Sequence, residues 1–159
     1  MTERHKKVAF YGVPNSTDYG YSLTRMKFFT SLGINKNPIE RNVKYVDEAT
    51  QRNAVVGYDP AIDYAFDDTA GDPVLNDIKK ITTEERTGDA AKRWICIVDL
   101  TDSDKAVLRE YTVMPGTEGD DANFYGYAGT FKANGEPTIG TATISANGQS
   151  CTFTPPDTN

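Results

Sequence analysis

At 159 residues with a formal net charge of -6, the chain has the size of one domain, able to bury about 70% of the surface its unfolded form would expose. It lacks the basic excess on which nucleic-acid affinity through counterion release depends. Hydrophobic residues make up 38% and charged residues 25%, a polar but globular composition that excludes wholesale disorder.

Cys96 sits in an apolar run and Cys151 near the C-terminus; they could meet in the fold, but two cysteines in a chain this long do not make a disulfide framework. Reduced thiols made in a cytoplasm are the expectation. The start "MTERHKKVAF" has no apolar stretch of signal-peptide length after it, and no window approaches a membrane span, so no export and no membrane partner are expected.

In chain order, "KVAFYGV" reads as a short strand stopped by Gly12 and Pro14, and "NSTDYG" as a loop. In residues 21–32, Leu23, Met26 and Phe29 fall at mixed spacing, and the Thr, Tyr and Phe content favours a strand ended by Gly33. Residues 34–56 hold Pro38 and many charges without a sustained period, which predicts a long loop of the kind that usually carries function or is disordered. Ile62, Tyr64 and Phe66 then alternate with Ala61, Asp63, Ala65 and Asp67, a half-buried strand. Asp72 followed by Pro73 is an N-cap with proline at the first helical position. Val74, Leu75, Ile78 and Ile81 recur at helical spacing, predicting an amphipathic helix of about two to three turns. Lys79 and Lys80 would sit near its end and complement the helix dipole.

Beyond the polar "TTEERTGDAAKR", "RWICIVDL" is a near-continuous apolar run, consistent with a strand covered on both faces. The turn "TDSDK" joins it to "AVLREYTVM", which puts Val107, Arg109, Tyr111 and Val113 on one face of a hairpin partner. After a second turn, "PGTEGDDAN", the stretch "FYGYAGTFKA" places Tyr125, Tyr127, Gly129 and Phe131 on one face. Asn134-Gly135 is the strongest short hairpin signal and predicts a turn into "TIGTATISA". "QSCTFT" predicts a last strand, and both termini are expected to be flexible. The fold class that follows is mainly β: an antiparallel β-sandwich or half-barrel with one flanking α-helix, a single domain over 1–159.

Chemistry is harder to place. His5 is the only histidine, so no multi-histidine metal site exists, and a spectator in a leader is the simpler reading. Cys96 between Ile95 and Ile97 reads as a structural thiol. The acidic clusters Asp67-Asp68, Asp102 to Asp104 and Glu118 to Asp121 could serve a paired-carboxylate hydrolase, but turn chemistry explains them more cheaply, and none has EF-hand spacing. "GEPTIGT" lacks the lysine and the setting of a phosphate loop. No catalytic, cofactor or metal residue is therefore assigned. In the long loop, Lys36, Arg41, Lys44 and Arg52 alternate with Glu40, Asp47 and Glu48, which suits a protein partner or simply a solvated loop. Tyr125 and Tyr127 would also permit a monomeric β-sandwich module binding carbohydrate or peptide.

The succession "VGYDPAIDYAFD", "DPVLNDIKKI", "TGDAAKRWICIVDL" and "REYTVMPGTEGDDANFYGYAGTFKANGEPTIGTATI" resembles the tail tube (major tail) proteins of long-tailed bacteriophages, over roughly residues 44–144. The resemblance implies a non-enzymatic virion subunit, assembled in the host cytoplasm into hexameric rings that stack into a tube. It also implies tape-measure, tail terminator and tip proteins as partners, and DNA passing through the lumen without specific binding. The loop at 34–56 would then reach an adjacent ring, with Ile39, Val43, Tyr45 and Val46 as apolar anchors and Arg41, Lys44 and Arg52 setting register. The chain stops soon after "CTFTPPDTN", so no appended immunoglobulin-like domain is expected.

Overall fold

The structure, a computed structural model, describes residues 7–12, 22–102, 105–119 and 124–154. The expectations for His5, "NSTDYG", Asp104, Asp120, Asp121 and the two termini lie outside these residues. Among the described residues the elements run β1 (Lys7–Gly12), β2 (Ser22–Arg25), β3 (Phe29–Asn35), β4 (Pro38–Val43), β5 (Arg52–Tyr58), β6 (Ala61–Asp67), α1 (Pro73–Glu84), β7 (Lys92–Asp99), β8 (Lys105–Glu118), β9 (Gly126–Ile144) and β10 (Ser150–Thr154).

Every strand pairing is antiparallel. The large sheet has the order β10-β2-β1-β7-β8-β9-β6-β3, and β10 also pairs with β9. That extra pairing closes β10, β2, β1, β7, β8 and β9 into a ring, from which β6 and β3 extend as a wing. The predicted mainly β fold with a flanking helix is what forms.

Period-two alternation divides the apolar residues between two cores. Val8 and Phe10 of β1, Cys96 and Val98 of β7, and Ala106 and Leu108 of β8 face the ring interior with Leu23, Ala142, Cys151 and Phe153. The opposite faces of the same strands, with Tyr11, Ile95, Tyr111 and Val113, join Ile62, Tyr64, Phe66 and Phe131 under the helix. Strand β7 is thus packed on both sides, which is why its sequence is a continuous apolar run.

Helix α1 starts where its sequence signals put it. One Asp72 carboxylate oxygen accepts from the Val74 and Leu75 amides at 2.9 and 3.3 Å, and Val74, Leu75, Ile78 and Ile81 are buried. It runs further than predicted, to Glu84, with Glu85 closing it in the left-handed conformation at φ 50°. Lys79 and Lys80 therefore lie mid-helix rather than in the last turn, and Lys79 Nζ instead pairs with Asp68 at 2.6 Å. A buried polar cluster fixes the helix to the sheet. Arg93, 4% exposed, donates through Nε and Nη2 to the Asp77 carboxylate at 2.8 and 3.3 Å, and the Tyr11 hydroxyl donates to the same carboxylate.

Other sequence expectations fail as well. The turn expected at "PGTEGDDAN" does not begin at Pro115, because β8 continues to Glu118 and pairs there with β9. Gly33 does not end a strand; it lies inside β3, opposite Asp63, and the break comes earlier, at Phe28 with φ 69°. Residues 34–56 are not one long loop, for they contain the end of β3, all of β4 and most of β5. Asn134-Gly135 makes no hairpin. Strand β9 runs straight through it, pairing first with β6 and later with β10. The β8 register jumps there from Glu110↔Asn134 to Leu108↔Thr138, and Gly135 takes φ 73°. The pair forms a bulge, because a long β8 offers continuous pairing on both sides and outweighs the local turn preference. A bulged strand bends and twists, which suits the transfer of β9 from the wing to the ring.

Candidate assembly surface

Strands β4 and β5 form a separate two-stranded sheet, a ribbon leaving the wing at the end of β3. Its base is tied by paired bonds: the Asp59 amide donates to the Asn37 carbonyl and Asn37 Nδ2 to the Asp59 carbonyl, both at 3.1 Å. Pro38 opens the ribbon, a strand position that needs no ladder donor. A register shift follows between Ile39 and Glu40, where Val56 is the extra residue on β5.

The ribbon is almost wholly solvated. Ile39, Tyr45, Val55, Val56 and Tyr58 are more than half exposed and Val46 is fully exposed. By register, Ile39, Arg41 and Val43 share a face of the ribbon with Arg52, which lies opposite Val43. Lys44, Tyr45 and Val46 belong to the tip. Arg52 Nε donates to both Glu48 oxygens at 2.8 and 3.1 Å, and its guanidinium lies 5.7 Å from the Tyr45 ring centre. The seven residues expected to make contacts therefore fall on one projection, with Ile39 at its base and Val46 at its tip. Val55, Val56 and Tyr58 also lie on the ribbon and were missed, although "AVVGY" carries the β-branched and aromatic signature of a strand. Val55 and Tyr58 sit opposite Glu40 and Pro38, on its other face.

An isolated two-stranded ribbon is marginal in water, and its apolar side chains join neither core of the body. The body offers apolar surface of its own. A cleft of about 410 Å³ is lined by Lys7, Val8, Ala9, Met26, Leu32, Gly33, Ile34, Ile62, Ile95 and Ile97. Beside it, Ile97, Val107 and Ile139 lie in register across β7, β8 and β9, with Val107 and Ile139 exposed. Strand β3 is the last of the described strands in the large sheet.

Two of the carboxylates near the wing, Asp63 and Asp68, have structural work. Asp63 accepts from Asn35 at 2.8 Å and Thr130 at 3.1 Å, and Asp68 pairs with Lys79. Among the described residues no group of His, Cys, Asp or Glu is arranged to hold a metal ion. Tyr127 stacks on Phe66 with ring centres 5.2 Å apart, and Tyr125 meets it edge-on at 5.4 Å. Tyr127 packs against the helix-side core, while Tyr125 is about half exposed.

By sequence the chain matches no family model and no curated protein. Its fold is similar to that of a chain in the tail of an empty GTA particle refined with helical C6 symmetry. The TM-score is 0.63 over 87% of this chain and 98% of that one, at 8% identity. A chain of the six-fold symmetrised anti-feeding prophage baseplate is also similar, with a TM-score of 0.49 over 87% and 95% at 8% identity. At such identity the first comparison defines a shared fold.

Proposed function

We propose that this chain is a structural subunit of a phage tail, and more specifically of its tube: copies join as hexameric rings that stack into the conduit for DNA. The observation that carries the reading is the near-complete mutual coverage between this fold and a chain of a C6-symmetric helical tail. The surfaces fit the role. An exposed apolar ribbon that forms its own two-stranded sheet is suited to reach the next ring. On that ribbon Ile39, Val43, Tyr45 and Val46 anchor the contact, while Arg41, Lys44 and Arg52 set its register. The net charge of -6 keeps a conduit from holding its polyanionic cargo. The subunit works in the virion after assembly in the host cytoplasm, enclosing a tape-measure protein and ending at terminator and tip proteins. It performs no catalysis.

The test is negative-stain electron microscopy of the purified untagged chain, with light scattering on the same sample. Hollow tubes or six-fold rings are the expected result. A monomer that persists across concentration and salt, and that fails to join tails assembled from the co-expressed tail proteins, overturns the reading.

A further inference from the structure

Cys96 of β7 and Cys151 of β10 are free thiols, 0% and 3% exposed, in the same ring-interior cluster as Phe10, Leu23, Leu108 and Phe153. Their strands are not neighbours. Strands β2 and β1 separate them on one side of the ring, β8 and β9 on the other, so the two side chains enter the same interior cluster from opposite walls. Strand β10 closes the ring through short ladders, Ser150 to Thr152 against β2 and Cys151 to Thr154 against β9. A covalent link at this point would secure the seam on which closure depends.

We propose that Cys96 and Cys151 form a latent disulfide site, oxidised by a low-molecular-weight disulfide such as oxidised glutathione once the chain leaves a reducing compartment. The Cys151 thiolate attacks one reagent sulfur, breaking the reagent's S–S bond and expelling one reagent thiolate. Cys96 gives its proton to water and attacks Cys151 Sγ in the mixed disulfide, forming the Cys96–Cys151 bond and releasing the second reagent thiolate. Two protein thiols are oxidised and one reagent disulfide is reduced. The order of attack follows from position: Cys151 lies on β10, which is held by short ladders, so it meets the reagent when the seam opens, while Cys96 lies on β7 between two longer ladders. Burial of both sulfurs makes opening of the β10 seam the gate, so mild denaturant accelerates the reaction.

The test is intact mass and alkylatable-thiol count of the full chain before and after incubation with oxidised glutathione, in buffer and in sub-denaturing urea. The expected result is a monomer lighter by two hydrogen atoms with no alkylatable thiol, and a Tm raised on the order of 10 °C. Cys151→Ser and, independently, Cys96→Ala abolish both changes. Two thiols still alkylatable after urea treatment, a stable glutathione adduct, or a disulfide-linked dimer each overturns the proposal. The thiol count is read on the unmodified chain, so it stands whether or not a variant folds and whether or not the chain builds tubes.

Discussion

Arg93 sits under α1 with its charge matched by Asp77, and Tyr11 adds a hydroxyl to the same carboxylate. Removing one member of such a pair strands the other charge in a low-dielectric site, which costs about 3–5 kcal/mol. Asp77→Ala should therefore lower the urea midpoint sharply, whereas Asp77→Asn, which keeps the shape and one acceptor, should cost less. Nothing in the sequence singles out this cluster, because Asp77 and Arg93 are far apart in the chain and each reads as an ordinary surface charge. Burial also leaves an alkaline signature. Tyr64 is pushed up to about 12 by desolvation, and desolvation also leads the rise at Tyr11, followed by Asp77. A tyrosine that ionises near 10 when unfolded but later when folded contributes stability in full below pH 10 and loses it as pH climbs through the folded value. Thermal melts should hold steady up to about pH 10 and then fall, and Tyr64→Phe should flatten part of that slope; an unchanged slope would remove the assignment. The face that sequence alternation assigned to Gly129 is correct, and the structure supplies the reason for glycine. A Cβ there would lie 2.6 Å from both the Met114 carbonyl oxygen and the Tyr64 hydroxyl.

At the scale of elements, what was legible was local. The helix start could be read because cap, proline and apolar period coincide within ten residues, and β6 and β7 because burial on one or both faces dictates their pattern. Asp72→Ala should cost about 1 kcal/mol, with loss of helical ellipticity before global melting as the check. The ribbon was illegible because it buries neither face, so selection for alternation is absent and its bulge interrupts what period remains. The Asn134-Gly135 signal misled because hairpin preference is local while β9 is held by three different partners. Closure of the ring was equally hidden, since β10 meets β2 across most of the chain. Its dependence on one glycine can be tested. A Cβ on Gly140 would stand 2.3 Å from the Thr154 carbonyl oxygen and 3.0 Å from the Phe153 ring, so Gly140→Ala should displace β10. The expected readouts are faster hydrogen exchange at Cys151 and Phe153 and binding of a hydrophobic dye. Native exchange in that strand would show the seam to be more tolerant than its geometry implies.

For the whole molecule, the ribbon and the body present separate apolar surfaces, and separate surfaces predict separable defects. Substituting Tyr45→Ser with Val46→Asp changes exposed tip residues that contribute nothing to either core, so fold stability should move by no more than about 0.5 kcal/mol. Placing a carboxylate in a desolvated contact, however, carries a far larger penalty than placing it in water. The variant should remain a native-melting monomer or single ring and fail to lengthen into tubes in electron micrographs. Val107→Asp with Ile139→Asp makes the complementary change on the outer face of the ring strands. If rings stack along the ribbon, this second variant should alter lateral association while leaving stacked species detectable by light scattering. Full-length tubes from the tip variant alongside loss of all assembly from the strand-face variant would move the inter-ring contact from the ribbon to the body.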